Sequence, residues 1–151
     1  MLLYNSKGQL FLGERNHEAG IWQFPQGGAE QTLTLEQNVI KELGEELGVQ
    51  PGQICITKQL TATHTYDFST PPTYAVGRWR GQTQTFWLVQ FLGKDSDINL
   101  NLHSPAEFMS WKWCSPDEVR SFAEPKRLPG YAGALAEFEE LLASTPPSSL
   151  R

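Results

Sequence analysis

An amphipathic helix with an acidic face constrains this chain more than any other stretch. Its apolar side is a stripe at four-residue spacing, with Ile40 beside it: Leu35, Val39, Leu43 and Leu47. Thr34 and Gln37 form the pattern of a capping box, and Gly48 suits the C-terminal end of a helix. The sequence therefore predicts a helix from Leu35 to Leu47 whose apolar stripe is buried.

Three glutamates share the other face of this helix. Glu42, Glu45 and Glu46 are spaced i, i+3 and i+4, and like charges at these spacings repel by roughly 0.2 to 0.5 kcal/mol per pair. A solvated acidic face is one explanation, and it is common. A divalent cation is the other, because Mg²⁺ prefers carboxylate oxygens. The preceding loop, WQFPQGG from Trp22 to Gly28, favours a metal and phosphate site because its glycine pair lets backbone approach a bound group.

Length and charge limit the classes of protein to consider. The 151 residues, 39% of them hydrophobic, suit a single domain, which we place at residues 1–143 with a flexible tail at 144–151. A net charge of −5 argues against a broad basic surface for nucleic acid. The charge is compatible with a polyphosphate enzyme that gains positive charge as Mg²⁺.

The two cysteines, Cys55 and Cys114, lie far apart and form no C-x-x-C pattern. Both are expected to be small core residues. The sequence has no signal-peptide pattern and no apolar run of bilayer length, so we expect a soluble, cytoplasmic protein without a membrane partner.

The remaining elements are mostly strands. A second helix begins at Ser115, and an amphipathic C-terminal helix is predicted from Gly133 to Leu142. Strand patterns occur in six places: Met1–Tyr4, Gln9–Gly13, Ile54–Lys58, Thr61–Phe68, Thr85–Phe91 and Trp111–Trp113. This order predicts an α+β protein, an α/β/α sandwich around a mixed β-sheet.

Residues 27–49 resemble the Nudix box, G-x5-E-x7-R-E-U-x-E-E-x-G-U, where U is aliphatic. The stretch from Lys41 to Val49 fits at every position but one. The box glutamate falls on Leu33 and the box arginine on Lys41. In the family these two positions pair and brace the loop against the helix, so the resemblance implies a kept metal-binding half and a lost brace.

Later segments are similar to one branch of the Nudix family, which contains RNA pyrophosphohydrolases and dinucleoside-polyphosphate hydrolases. The resemblance runs from Gln9 to Leu142, through WQFPQGG, TYDF, GRWRGQTQTFWLVQF, DSDINL, PAEFMSWKW and SPDEV. It implies the Nudix fold and a Mg²⁺- or Mn²⁺-dependent pyrophosphohydrolase. Its substrate would be a nucleoside 5′-polyphosphate end: either an RNA 5′-triphosphate, cut to a monophosphate, or a dinucleoside polyphosphate.

The resemblance also assigns roles to residues. The metal would be held by Glu42, Glu45, Glu46 and a backbone carbonyl at Gly27. Glu45 or Glu107 would be the catalytic base. Substrate contacts would come from Arg15, Arg78, Arg80, Gln84 and Lys126, although Arg15 could equally be a surface residue.

A nucleotide-binding or regulatory protein with weak or no catalysis is the alternative. It is favoured by Leu33 and Lys41, and by Thr83 and Thr85, where relatives commonly have lysines. Relatives also often read F-K-R where this chain has Pro125-Lys-Arg127, so the basic pair is kept and the aromatic is lost.

Overall fold

The computed structural model describes residues 1–26, 32–67, 81–103 and 105–144; the side chains of 62–67 and 81–84 lie outside that description. Within these ranges the strands are β1 Leu2–Tyr4, β2 Leu10–Arg15, β3 Trp22–Gln23, β4 Ile54–Asp67, β5 Gly81–Phe91 and β6 Phe108–Cys114. The helices are α1 Leu35–Leu47, α2 Pro116–Phe122 and α3 Leu128–Ser144. None of these helices is long and apolar enough to cross a bilayer.

The strands form one mixed sheet. Their order is β3-β2-β1-β5-β4, and β6 also pairs with β2. β1 and β5 run parallel, with Leu2 opposite Leu88, while the other pairs are antiparallel. β4 pairs only with β5 among the described strands and so forms one edge of the sheet.

Helices cover both faces of this sheet. Because side chains alternate along a strand, Leu3 and Leu2 point to opposite faces. Leu3 packs in the cluster that contains the α1 residues Val39, Leu43 and Leu47. Leu2 packs in the cluster that contains Val119 of α2 and Tyr131, Ala134, Leu135 and Phe138 of α3. The predicted α+β class and α/β/α sandwich are confirmed.

α1 has the predicted bounds because its end signals are local. The Gln37 N–H donates to Thr34 Oγ1 at 3.1 Å, and the Thr34 N–H donates to Gln37 Oε1 at 2.9 Å, which completes the capping box. Gly48 ends the helix with φ +70°, and a Cβ there would lie 2.6 Å from the Asn99 carbonyl oxygen. Only glycine meets both requirements.

Two burial predictions are wrong. Leu35 is 50% exposed, because it lies in the first turn of α1 and the buried cluster begins one turn later, at Val39. Cys55 is exposed, because it lies on the edge strand β4 with its side chain outside both core clusters. Cys114 is buried as predicted.

Several element boundaries also differ from the prediction. β5 begins at Gly81 rather than Thr85, and β6 begins at Phe108 rather than Trp111. β4 is continuous from Ile54 to Asp67, where the sequence predicts two strands, and it absorbs the break through register shifts near Ile56 and Gln59. α3 begins at Leu128 rather than Gly133, because proline is tolerated in a first helical turn, whose N–H groups have no partner within the helix. Ser144 belongs to α3, and residues 145–151 of the predicted tail lie outside the described residues.

Candidate active site

Glu46 is the buried member of the acidic helix face. Its side chain is 7% exposed, and its Oε2 makes no hydrogen bond within the described residues. The backbone N–H of Gln26 donates to the carboxylate. Burial, which is the largest cause, and the negative charges of Glu107 and Glu42 together raise the pKa of Glu46 to about 9, against the opposing effects of the Met1 amine and the Gln26 N–H. A buried carboxylate with a free oxygen and acidic neighbours is costly unless a positive group joins it.

Glu107 approaches Glu46 from the loop before β6. Its backbone carbonyl accepts from the Asn16 N–H at 2.9 Å, which ties this loop to the end of β2. The next side chain, Phe108, is fully buried, and its ring lies flat against Gly13 of β2. A Cβ at Gly13 would lie 2.5 Å from Phe108 Cδ1. Because position 13 is a glycine, the Phe108 ring can pack this closely, and this packing fixes the position of the neighbouring Glu107.

Arg15, the last residue of β2, is held beside these acids. Its Nε donates to Glu18 Oε1 at 2.8 Å and its Nη1 donates to Gln23 Oε1 at 3.0 Å. Nη1 lies 3.9 Å from Glu107 Oε1. Gln23 is fully buried, and its Nε2 makes no hydrogen bond within the described residues. A guanidinium fixed from two sides is well shaped to hold a phosphate oxygen.

Glu45 does not share the environment of Glu46. Its side chain is 46% exposed, and its Oε1 lies 3.2 Å from Nζ of Lys41, one turn earlier. The residue at the box-arginine position therefore pairs with Glu45. Glu42 is half-buried, and its charge acts on Glu46.

A second group of cations lies where α2 meets α3. Lys126 and Arg127 follow Glu124, whose backbone N–H donates to the Trp22 carbonyl at 3.0 Å. The hydroxyl of Tyr131 accepts from the Phe24 N–H at 3.2 Å. These bonds join the basic pair to the loop of the WQFPQGG segment.

The donor set fits a divalent cation at Glu46. In the part of the chain that the structure describes, no three His, Cys, Asp or Glu side chains are grouped closely enough to hold a metal by themselves. The free Oε2 of Glu46 and its repulsion from Glu42 and Glu107 are nevertheless what a hard cation would relieve.

Several predicted site residues lie outside the described residues: Gly27, Arg78, Arg80 and the side chain of Gln84. The side chain of Thr83, which favours the alternative function, also lies outside them. The structure adds two residues that sequence reasoning missed, Gln23 and Glu124. Gln23 belongs to the WQFPQGG segment, but nothing in the sequence distinguishes it within that segment. Glu124 belongs to no motif that the sequence analysis identifies. Phe122 is the aromatic residue that precedes the basic pair, and it could take the place of the lost aromatic at Pro125. Its ring contacts Lys112 instead, whose Nζ lies 3.3 Å from the ring centroid of Phe122 and 4.2 Å from that of Trp22.

Comparison with known proteins supports the family predicted from the box. The NUDIX domain profile matches residues 1–138. The RNA pyrophosphohydrolase of Novosphingobium aromaticivorans is 34% identical over 149 residues, covering 94% of this chain and 91% of that protein. The RNA pyrophosphohydrolase of Zymomonas mobilis is 35% identical over 145 residues, covering 94% and 93%.

The fold also matches solved structures. The C. elegans Ap4A hydrolase binary complex superposes with a TM-score of 0.65 at 20% identity, covering 95% of this chain and 96% of that one. At this identity the likeness concerns the fold alone. The profile match and the two relatives establish the family: this chain belongs to the NUDIX domain family.

Proposed function

We propose that this protein is a pyrophosphohydrolase that cleaves nucleoside 5′-polyphosphate ends, with an RNA 5′-triphosphate as the favoured substrate and the RNA 5′-monophosphate as product. The observation that carries the proposal is the buried Glu46 carboxylate, which has one oxygen without a hydrogen bond among the described residues, two acidic neighbours and Arg15 close to one of them. The relatives named RNA pyrophosphohydrolase favour RNA over a dinucleoside polyphosphate.

A divalent cation, Mg²⁺ or Mn²⁺, belongs to this proposal. Glu46 would hold it with Glu42, and with the Gly27 carbonyl that the family resemblance assigns. Bound there, the ion would neutralise phosphate charge and acidify a water molecule.

The chain's own cations would hold the substrate. We assign Arg15 to a phosphate oxygen, because Glu18 and Gln23 fix its guanidinium beside Glu107. We assign Lys126 to a more distal phosphate, since its side chain is 75% exposed and can reach outward. Phosphoryl transfer depends mainly on positioning and charge neutralisation, so these contacts are the principal contribution of the protein.

Glu107 is our choice for the base that accepts a proton from the attacking water. Its side chain is 42% exposed, so water reaches it, and it lies close enough to Glu46 to act on its pKa. Glu45 is the less suitable candidate because its carboxylate pairs with Lys41. The water would attack phosphorus in line, the P–O bond of the α–β anhydride would break, and the products would be the RNA 5′-monophosphate and pyrophosphate.

A nucleotide-binding protein with weak or no catalysis is the second candidate. The Lys41–Glu45 ion pair favours it, because the pair engages one of the three glutamates that the family resemblance assigns to metal.

The test is hydrolysis of a short 5′-triphosphorylated RNA beside diadenosine tetraphosphate, each with and without Mg²⁺. We expect metal-dependent release of RNA 5′-monophosphate, faster than cleavage of the dinucleotide. Faster cleavage of the dinucleotide would overturn the substrate assignment. Tight nucleotide binding without turnover of either would favour the second candidate.

A further inference from the structure

Glu124 lies among the cations that surround the proposed phosphate site. Its Oε1 lies 3.1 Å from Lys126 Nζ, and its Oε2 accepts from Arg127 Nε at 2.8 Å. The charge of Glu124 also acts on Arg15. The pKa of Arg15 is raised mainly by its hydrogen bond to Glu18, and the negative charges of Glu107 and Glu124 raise it as well. One carboxylate thus interacts with three cations that could otherwise face phosphate.

The backbone fixes this carboxylate in place. Besides the bond from the Glu124 N–H to the Trp22 carbonyl, the Glu124 carbonyl accepts from the Arg127 N–H at 2.9 Å. The Glu124 side chain is 13% exposed. Burial acts to raise the pKa of Glu124, but hydrogen bonds from Lys126 and Arg127 hold it below its ordinary value. Glu124 is therefore an anion at neutral pH.

The two basic partners of Glu124 differ in how firmly they are held. Arg127 is 23% exposed and also donates to the Tyr131 hydroxyl, so it is a fixed part of the structure. Lys126 is 75% exposed. Ion pairs made by such exposed side chains are worth about 1 kcal/mol or less. A phosphate could therefore exchange with Glu124 for Lys126 and leave Arg127 undisturbed.

We propose that Glu124 is an internal competitor of the substrate: it holds Lys126 until a phosphate takes its place, and so sets the affinity for polyphosphate. The inference rests on the proposed function, because it treats Lys126 as a phosphate contact. Glu124 is then a specificity-determining residue with no part in the chemical step.

The first experiment measures binding of inorganic tripolyphosphate by calorimetry without added metal, in wild type and in Glu124→Gln. Glutamine removes the charge and keeps an oxygen that can accept from Arg127. We expect about 2- to 5-fold tighter binding, which corresponds to removal of one surface-type charge interaction. In a Lys126→Gln background the Glu124→Gln substitution should change affinity less than about twofold, because Glu124 then holds no lysine away from the phosphate.

The matched control is Glu139→Gln. Glu139 is likewise paired with an arginine, Arg120, and its change to glutamine removes the same unit of charge. This pair, however, joins α3 to α2 and does not include Lys126. We expect no change in tripolyphosphate affinity. If Glu139→Gln tightens binding as much as Glu124→Gln, net charge is the cause and the proposal is overturned. Weaker binding by Glu124→Gln, or no binding by either protein, also overturns it.

Steady-state kinetics separate affinity from chemistry. With 5′-triphosphorylated RNA, Glu124→Gln should lower KM by a factor similar to the gain in tripolyphosphate affinity, while kcat changes less than about twofold. If wild type binds tripolyphosphate but hydrolyses no RNA, the proposed function fails and the effect of Glu124 on binding can still be measured. If RNA is hydrolysed but Glu124→Gln leaves affinity and KM unchanged, only the competitor inference fails.

A measurement on wild type covers the case in which Glu124→Gln does not fold. Carbon-detected NMR of the Glu124 carboxyl resonance should show a shift as tripolyphosphate saturates, because the ion pair with Lys126 is exchanged. No shift at saturation would contradict the proposal.

Discussion

Lys41 Nζ lies 3.2 Å from Glu45 Oε1, one turn along the same helix. This pair divides the acidic face in two. Glu45 is a half-exposed partner of a lysine, whereas Glu46, the next residue, is buried and has one oxygen that accepts no hydrogen bond from the part of the chain that the structure describes. Three glutamates that look equivalent in the sequence therefore have different environments.

Loss of the Glu45 carboxylate should have a modest effect. We expect Glu45→Gln to lower kcat for 5′-triphosphorylated RNA less than about 10-fold, because an exposed ion pair contributes little. Lys41→Gln should behave similarly, and steady-state kinetics with both variants checks this. If Glu45→Gln lowered kcat by about 100-fold or more, Glu45 would have to separate from Lys41 and act in the reaction.

Glu46 should contribute a stabilisation of the metal-free protein that falls as pH rises. The buried Met1 amine, whose pKa burial lowers to about 5, acts in the opposite direction between about pH 5 and 8, so the Glu46 contribution is measured as a difference between wild type and a Glu46 variant. The pKa of Glu46 is about 9 when folded, mainly through burial, against an ordinary value of 4.5. The folded state therefore binds a proton that the unfolded state has released between these values. Glu107 and Glu42 also raise this pKa, whereas the nitrogen of Met1 and the Gln26 N–H lower it. The resulting stabilisation is complete below pH 4.5 and is lost as pH rises through about 9, by at most about 1.4 kcal/mol per pH unit.

Glu46→Gln should remove this dependence, because glutamine resembles the protonated acid. Urea unfolding in EDTA at pH 6, 7 and 8 should show the variant to be more stable than wild type, by an amount that grows with pH. Glu45→Gln is the control and should follow wild type. If Glu46→Gln is less stable than wild type at pH 8, the buried carboxylate is already neutralised within the fold.

Substitution of Gly13 should affect both stability and activity. A Cβ there would lie 2.5 Å from the buried Phe108 ring, so Gly13→Ala must displace the residue next to Glu107. We expect a loss of about 1 to 3 kcal/mol in the free energy of unfolding. Since small misplacements at an active site cost up to about 100-fold in rate, kcat should fall as well.

Gly52→Ala is the matched control, because a Cβ at that position would have open space for 4 Å around it, apart from its own chain neighbours. Its unfolding free energy should stay within about 0.5 kcal/mol of wild type. If Gly13→Ala behaved in the same way, the loop that carries Glu107 would not depend on the Gly13–Phe108 contact.

The two cysteines should react differently. Cys55 is exposed and Cys114 is buried, and burial raises the pKa of the Cys114 thiol to about 11. A thiol-specific disulfide reagent should modify one thiol per native chain and two after denaturation. Cys55→Ser should abolish the native reaction. Two reactive thiols in the native protein would contradict the burial of Cys114.

Features set by local chemistry can be predicted from the sequence. The ends of α1 depend on Thr34, Gln37 and Gly48, which all lie next to the turns they determine. The alternation of Leu2 and Leu3 between two core clusters follows from strand geometry. The prediction for Leu35 is wrong because its burial depends on where the packed part of α1 begins. The prediction for Cys55 is wrong because its side chain, on the edge strand β4, lies outside both core clusters.

The partners within the candidate site depend on tertiary structure. Gln23 meets Arg15 only because β3 pairs with β2, and Glu124 reaches Trp22 only because Ala123, the residue after α2, forms a bridge with Trp22. The pairing of Lys41 with Glu45 can be predicted from their i, i+4 spacing, whereas the family resemblance predicts that position 41 pairs with position 33, which is Leu33 here.

The most direct test of the account is turnover by Glu46→Gln. With Mg²⁺ saturating and folding verified by circular dichroism, we expect kcat for 5′-triphosphorylated RNA to fall by at least about 100-fold relative to wild type. The buried carboxylate would then be essential to the reaction although its removal stabilises the metal-free fold. Near-normal turnover by Glu46→Gln would contradict the account.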